Sequence, residues 1–233
     1  MIKSKNCNFF LSIGTNDIKF EAIDKNNEIF FSKNDLVDNL ANTRSFEILE
    51  KFLKNNIFDI EKELSSYVEN INLVIDHNDF LFVNLSMKYN SDGVSFNFNR
   101  LNSSLIELKK YFQNTIGNFE IIHMVINKFI VDGKVYSQLI EASNYNKICI
   151  EIKFICLNRN VIKNLKNILS RYQIFVKNII CFKYLKEFEN FNNSKSTVIA
   201  QKVLNGLNQN EIFYTKKSSN KHGFFEKFFN FFN

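Results

Sequence analysis

Along this chain, stretches in which apolar and polar residues alternate are separated by stretches in which apolar residues recur every three or four positions. The first pattern predicts strands and the second helices. Asn8 to Ile13 is an apolar run ending in Gly14-Thr15-Asn16-Asp17, after which Ile18, Phe20 and Ala22 alternate with Lys19 and Glu21. Strand, tight turn and strand are expected, with a third strand over Glu28 to Phe31. From Ser45, residues Phe46, Leu49, Phe52 and Leu53 share one helical side, and Ile57, Ile60, Leu64 and Val68 prolong it as one long helix or a pair. Ile71 to Ile75 predicts a short buried strand before the polar break Asp76-His77-Asn78-Asp79.

A second block opens with strand patterns over Phe80 to Met87 and Val94 to Phe98, separated by the turn Asn90-Ser91-Asp92-Gly93. Leu105, Leu108, Tyr111 and Phe112 then place a helix over Ser103 to Thr115. Phe119 to Val131 reads as a long strand, and Asp132-Gly133 is a two-residue hairpin signal before Lys134 to Ile140. Ile148 to Leu157 alternates again, followed by a helix over Asn160 to Tyr172 and a strand over Ile174 to Phe182. Asn190 to Ser194 is a polar break, Val198 to Leu207 predicts a short helix, and Thr215 to Lys221 reads as a polar linker. Strands and helices in this order predict an α/β (α+β) fold whose middle block is inserted into a first domain.

Composition changes this picture less than it first suggests. Asn, Lys, Ile and Phe make up half of the 233 residues, and Pro and Trp are missing, as codon drift in an A/T-rich genome produces. The net charge of +6 is spread accordingly: four Arg stand at 44, 100, 159 and 171, and Lys is interleaved with Asp and Glu. Such dispersion argues against a nucleic-acid surface, which clusters its cations along phosphates. No apolar run is long enough to span a bilayer and the first ten residues lack the apolar core of a secretory signal, so a cytoplasmic protein is expected. Cys7, Cys149, Cys156 and Cys181 form no C-x-x-C pair and have no His at ligand spacing; free thiols without metal are expected. His123, within Ile121-Ile122-His123-Met124-Val125-Ile126, predicts a strand histidine with a local hydrogen-bond partner, since no nucleophile or carboxylate motif accompanies it.

The last residues do not look like drift. On a helix turning about 100° per residue, Phe224, Phe225, Phe228, Phe229, Phe231 and Phe232 fall within an arc of about 160°, and Glu226, Lys227, Asn230 and Asn233 fall opposite. Such a stripe suits the interface of a bilayer, with Lys216, Lys217, Lys221 and Lys227 drawn to anionic lipid. It also suits a groove on the protein itself or on a partner.

Read in order, four pieces resemble the FtsA family of bacterial actin-like cell-division proteins. Ile13-Gly14-Thr15 looks like the first phosphate loop of the actin fold. Ile121 through Gly133, with His123, Phe129 and Val131-Asp132-Gly133, looks like part of the family's inserted SHS2-type subdomain. Asn160 to Leu165 resembles the helix after that subdomain, and the end of the chain resembles the membrane-targeting helix. The pilus protein PilM is a relative with a similar insert.

The resemblance implies a partial actin/ribonuclease H-like domain over 1–76 and 147–190, interrupted by an SHS2-type α+β subdomain over 77–146. A short helix and linker over 191–220 and an amphipathic helix over 221–233 complete it. The length leaves room for one actin-like half and the insert. No Asp-x-Gly-x-x-Thr loop follows Tyr184, and no two Gly are adjacent to contact adenosine. At the surviving loop, Ser12 stands where the family has an acidic residue and Asp17 replaces its Lys. Gly14 and Thr15 are therefore expected to be a vestigial turn in a protein without catalytic residues, metal or cofactor. The implied role is an adaptor at the division site on the cytoplasmic face of the inner membrane. Its implied partners are anionic lipid, division proteins such as the tubulin-like FtsZ or later septum proteins, and other copies of itself. The alternatives are a nucleotide-dependent actin-like protein completed by another chain and a PilM-like pilus assembly protein.

Overall fold

The computed structural model describes residues 7–15, 17–36, 45–90, 98–137, 147–188 and 195–212. The first apolar run forms β1 (Asn8–Ile13), which hairpins into β2 (Asp17–Ile23) and β3 (Ile29–Leu36). The β2–β3 turn is closed by Asp24, whose Oδ1 accepts from the backbone N–H of Asn26 and of Glu28, each at 2.8 Å. The long stripe becomes one helix, α1 (Ser45–Leu64), burying Leu49, Phe52, Leu53, Ile60 and Leu64. It stops short of Val68 because Ser65 turns to φ 52°, and the Val68 N–H is taken by the Glu61 carboxylate at 2.9 Å.

β4 (Asn70–Ile75) then runs parallel to β1, and β9 (Phe175–Cys181) runs parallel to β4. The resulting order β3-β2-β1-β4-β9, with β2 alone reversed, is that of the actin and ribonuclease H-like fold. Consecutive residues of β1 and β4 are buried, so both faces of this sheet are covered. Helices α1 and α3 (Arg159–Arg171) pack against each other, and so do the short α4 (Phe182–Leu185) and α5 (Ser196–Leu204). Helix α5 is fixed to the sheet by polar contacts as well as by Ile199, Ala200 and Val203. Thr197 Oγ1 donates to the buried Glu21 carboxylate at 2.5 Å, Lys19 pairs with the same carboxylate at 2.9 Å, and Gln201 Nε2 donates to the Asp24 carbonyl at 2.6 Å.

Between β4 and α3 the chain builds a second, antiparallel sheet in the order β5-β8-β6-β7. Its strands are β5 (Phe80–Asn90), β6 (Phe119–Val131), β7 (Lys134–Tyr136) and β8 (Lys147–Asn158), with α2 (Phe98–Thr115) over one face. The Asp132-Gly133 hairpin is formed, with φ 47° and 84°.

Two expectations are corrected here. Phe98 begins a helix rather than ending a strand, because Leu101, Leu105 and Phe112 carry the apolar stripe a full turn further upstream; Val94 to Asn97 lie outside the described residues. Residues 147–158, assigned from sequence to the actin-like half, are an inner strand of the second sheet. The physical reason is that β8 serves both cores. Ile148, Ile150, Ile152, Phe154 and Cys156 lie in the core under α2, whereas Ile155 and Leu157 reach the core of the first sheet.

Candidate functional site

Ile13, Ile75 and Cys181 stand side by side at the carboxyl ends of the three parallel strands. In open α/β sheets this is the edge where ligands sit. At the β1 end, the Gly14 N–H donates to the Asp17 carbonyl at 2.9 Å, and the Asp76 N–H donates to the Ile13 carbonyl at 2.9 Å. Thr15 is exposed. Gly14 has no left-handed φ to explain it; a Cβ there would meet Asp17 Oδ1, the end of a side chain that can swing aside. The carboxylate thus lies directly against the glycine of the turn. Two positions before it, the Ser12 hydroxyl is buried without a hydrogen-bond partner and supplies no negative charge for a hydrated cation. The fold family implies a nucleotide with Mg²⁺ here, and these residues do not fit one. A triphosphate would meet an anion at the glycine and find no carboxylate at Ser12.

At the β9 end the arrangement is buried and fully paired. His123, on β6, is 5% exposed, and its Nε2 accepts the Cys181 backbone N–H at 3.1 Å. That bond places the ring proton on Nδ1, which donates to Glu211 Oε1 at 2.7 Å. The other carboxylate oxygen accepts the Tyr184 hydroxyl at 2.7 Å, and Asn208 Nδ2 donates to the same hydroxyl at 2.8 Å. The Tyr184 ring lies tilted against His123, with centroids 4.5 Å apart. Burial, and then the facing Glu211 carboxylate, push the Tyr184 phenol well above the usual range, so it remains a donor.

The backbone around Glu211 is equally engaged. Ile126 N–H donates to the Asn210 carbonyl and Ile212 N–H to the Met124 carbonyl, both at 2.9 Å, which adds residues 210–212 to the edge of β6 beyond β7. Asn210 Nδ2 donates to the Ser137 carbonyl at 2.8 Å. Because α5 lies in the first core while Ile212 packs on the second, this segment clasps the two sheets together. The partners of His123 are therefore not local, as expected from sequence, but come from positions 181 and 211. No acid–base nucleophile is assembled: Cys181 contributes its backbone, and burial pushes its thiol up, as it pushes the Cys156 thiol up to about 12.

Of the residues singled out from sequence, Gly14 and Thr15 lie between β1 and β2, with the Asp17 carboxylate next to the glycine. Phe224, Phe225, Phe228, Phe229, Phe231, Phe232, Lys221 and Lys227 lie outside the described residues. Glu211, Tyr184 and Asn208 carried no signal in the sequence. Among the described residues, no helix is long and apolar enough to cross a membrane and no group of His, Cys, Asp and Glu is disposed to hold a metal.

No family profile and no curated protein matches the sequence. Solved structures do match. The PilM–PilN type IV pilus biogenesis complex is similar at 8% identity and TM-score 0.46, over 76% of this chain and 48% of that one. The cytoplasmic domain of EpsL, an inner membrane component of the type II secretion system of Vibrio cholerae, is similar at 9% identity and TM-score 0.36, over 77% and 56%. A Bacteroides thetaiotaomicron protein with an actin-like ATPase fold follows at 13% identity and TM-score 0.35, over 81% and 58%. The chain spans about half the length of these structures. The strand order above, not these distant likenesses, is what assigns the actin-like fold.

Proposed function

We propose that this chain is a non-enzymatic adaptor of the actin-like class, seated on the cytoplasmic face of the bacterial inner membrane and offering its second sheet to protein partners. The observation that carries this reading is the Asp17 carboxylate lying on Gly14. A carboxylate beside such a turn disfavours the phosphate that an ATPase would have to bind there. The clasp through Glu211 supports the same reading, because a body locked across its two sheets suits a scaffold better than an enzyme that closes round a nucleotide. The amphipathic residues 221–233 supply the membrane contact, with anionic lipid as the favoured surface.

The setting we favour is cell division, as the FtsA resemblance implies, with FtsZ or later septum proteins among the partners. Pilus assembly is the second reading, because the inserted block resembles that of PilM as well. The experiment that tests the adaptor reading is a thermal-shift measurement on the full chain with ATP. No Mg²⁺-dependent stabilisation is expected, and a clear one overturns the reading. Flotation with anionic vesicles tests the membrane seat: the full chain should float and a chain ending at Ser219 should not, and equal flotation rejects the seat. A fluorescent fusion separates the settings, since division requires a mid-cell band.

A further inference from the structure

We propose that the outer face of α3 is a second contact with anionic lipid, one that lays the folded body on the bilayer beside its tail. This contact rests on the membrane seat proposed above and adds a surface of the body to it. On α3, Arg159, Lys163 and Lys166 are all exposed. At about 100° and 1.5 Å per residue they fall within an arc of about 60° and a length of about 10 Å, a single row of three cations. Lys177 of β9 is exposed as well and borders one cleft with Lys166; Glu120 is the carboxylate on that cleft.

This row does not serve the fold. Helix α3 has no carboxylate of its own, and like charges four apart on a helix repel. Arg159, in the first turn, meets the positive end of the helix dipole. Elsewhere the cations have found partners: Arg171 pairs with Glu50 and Lys153 with Glu187, both at 2.6 Å, and Lys128 with Glu151 at 3.1 Å. Among the described residues, Arg159, Lys163, Lys166 and Lys177 have no such pair. Drift supplies Lys freely but has left four Arg in the chain, and one of them stands in this row.

The course of the backbone selects a bilayer as the anion. Residues 210–212 run antiparallel to β6, with the Asn210 carbonyl bonded to Ile126 and the Ile212 N–H to Met124. The backbone at Ile212 is therefore directed toward the start of β6. There Glu120 borders the cleft with Lys166 and Lys177, about 13 Å along the strand from Met124. The sequence that follows carries Lys216, Lys217, Lys221 and Lys227 and the six-Phe stripe. A body held to lipid through that sequence presents the α3 row close to its point of attachment. The outer face of a helix is also convex, which suits a plane of headgroups, whereas peptides dock in grooves or on strand edges.

The full chain is titrated with vesicles of equal parts phosphatidylcholine and phosphatidylglycerol. R159Q/K163Q/K166Q should bind about ten-fold more weakly or worse, because each basic residue near such a surface adds to the attraction. K25Q/K88Q/K202Q removes three exposed lysines from the β2–β3 turn, β5 and α5, and should stay within about two-fold of the unaltered chain. Circular dichroism confirms that all three proteins are folded. Because the chain has no Trp, N167W places one reporter beside the row and N26W one in the β2–β3 turn. Lipid spin-labelled at the headgroup should quench the first and spare the second. A full chain that ignores the vesicles overturns the membrane seat and this contact with it. A full chain that binds, while R159Q/K163Q/K166Q loses no more than K25Q/K88Q/K202Q, overturns this contact alone and leaves the row to an acidic protein partner. Equal quenching at positions 167 and 26 overturns it as well.

Discussion

The ends of β1 and β9 occupy one row of the same sheet and have opposite characters. At the first, a glycine turn lies open to water with a carboxylate against it. At the second, an imidazole, a carboxylate and a phenol are buried and, with a half-buried amide, form one hydrogen-bonded chain. The contrast marks where this fold can absorb a change of chemistry. A turn in water tolerates a charge that no phosphate ligand would, because solvent screens it and the backbone bonds of the hairpin are untouched. A buried junction tolerates no missing partner, because each orphaned donor then pays its desolvation in full. Polar residues at the β9 end hold the two sheets together; the carboxylate at the β1 end belongs to a turn that meets water.

The largest consequence is expected at Glu211. Glu211→Ala leaves the His123 Nδ1–H without an acceptor and deprives the Tyr184 hydroxyl of its own. Two buried donors are stranded, and the segment that clasps β6 loses its side-chain anchor. A loss of about 3–5 kcal/mol is expected in urea unfolding. A loss under about 1 kcal/mol would mean that water reaches the junction, and the contrast between the two strand ends would then fail.

Tyr184→Phe is the milder version: the ring stays against His123, while the hydroxyl's bond to Glu211 and the one it accepts from the half-buried Asn208 are lost. About 1–3 kcal/mol is expected. The same variant has a pH signature. The folded phenol is held above its ordinary value near 10. Below that pH the phenol is protonated in the folded and unfolded chains alike, and the bond's contribution is fully present. Above it the unfolded chain ionises first, so stability falls as pH rises. Tyr184→Phe should flatten that alkaline limb, and urea titrations from pH 9 to 11 measure it.

How much of this was legible in the sequence follows from which forces act locally. The α3 stripe of Val161, Leu165, Ile168 and Leu169 and the Asp132-Gly133 hairpin were legible because periodicity and turn chemistry are properties of neighbouring residues. The sheet to which β8 belongs was not, because its alternation would suit either core and in fact serves both. His123 could be read as buried, but its partners are 58 and 88 positions away, and no spacing rule reaches so far. Glu211, within Asn208-Gln209-Asn210-Glu211-Ile212, looks like any polar break. At the β1 end, the replacement of a family Lys by Asp17 was legible through resemblance, whereas the folding of that carboxylate onto Gly14 required coordinates.

The smallest change in stability is expected at Asp17. Asp17→Asn keeps the size of the side chain over Gly14 and leaves the backbone bonds of the turn intact, so stability should change by less than about 0.5 kcal/mol. Removing the charge also removes the repulsion a triphosphate would meet. If repulsion by one carboxylate were all that closes the site, this variant would gain a Mg²⁺-dependent thermal shift with ATP. We expect no shift, because Ser12 offers no carboxylate to the hydrated cation and an amide in place of Asp17 adds no positive charge for the phosphates. A gain of several degrees would show that the turn is a working phosphate site held shut by one side chain. The β1 end would then be as specific as the β9 end, differing only in the ligand it awaits.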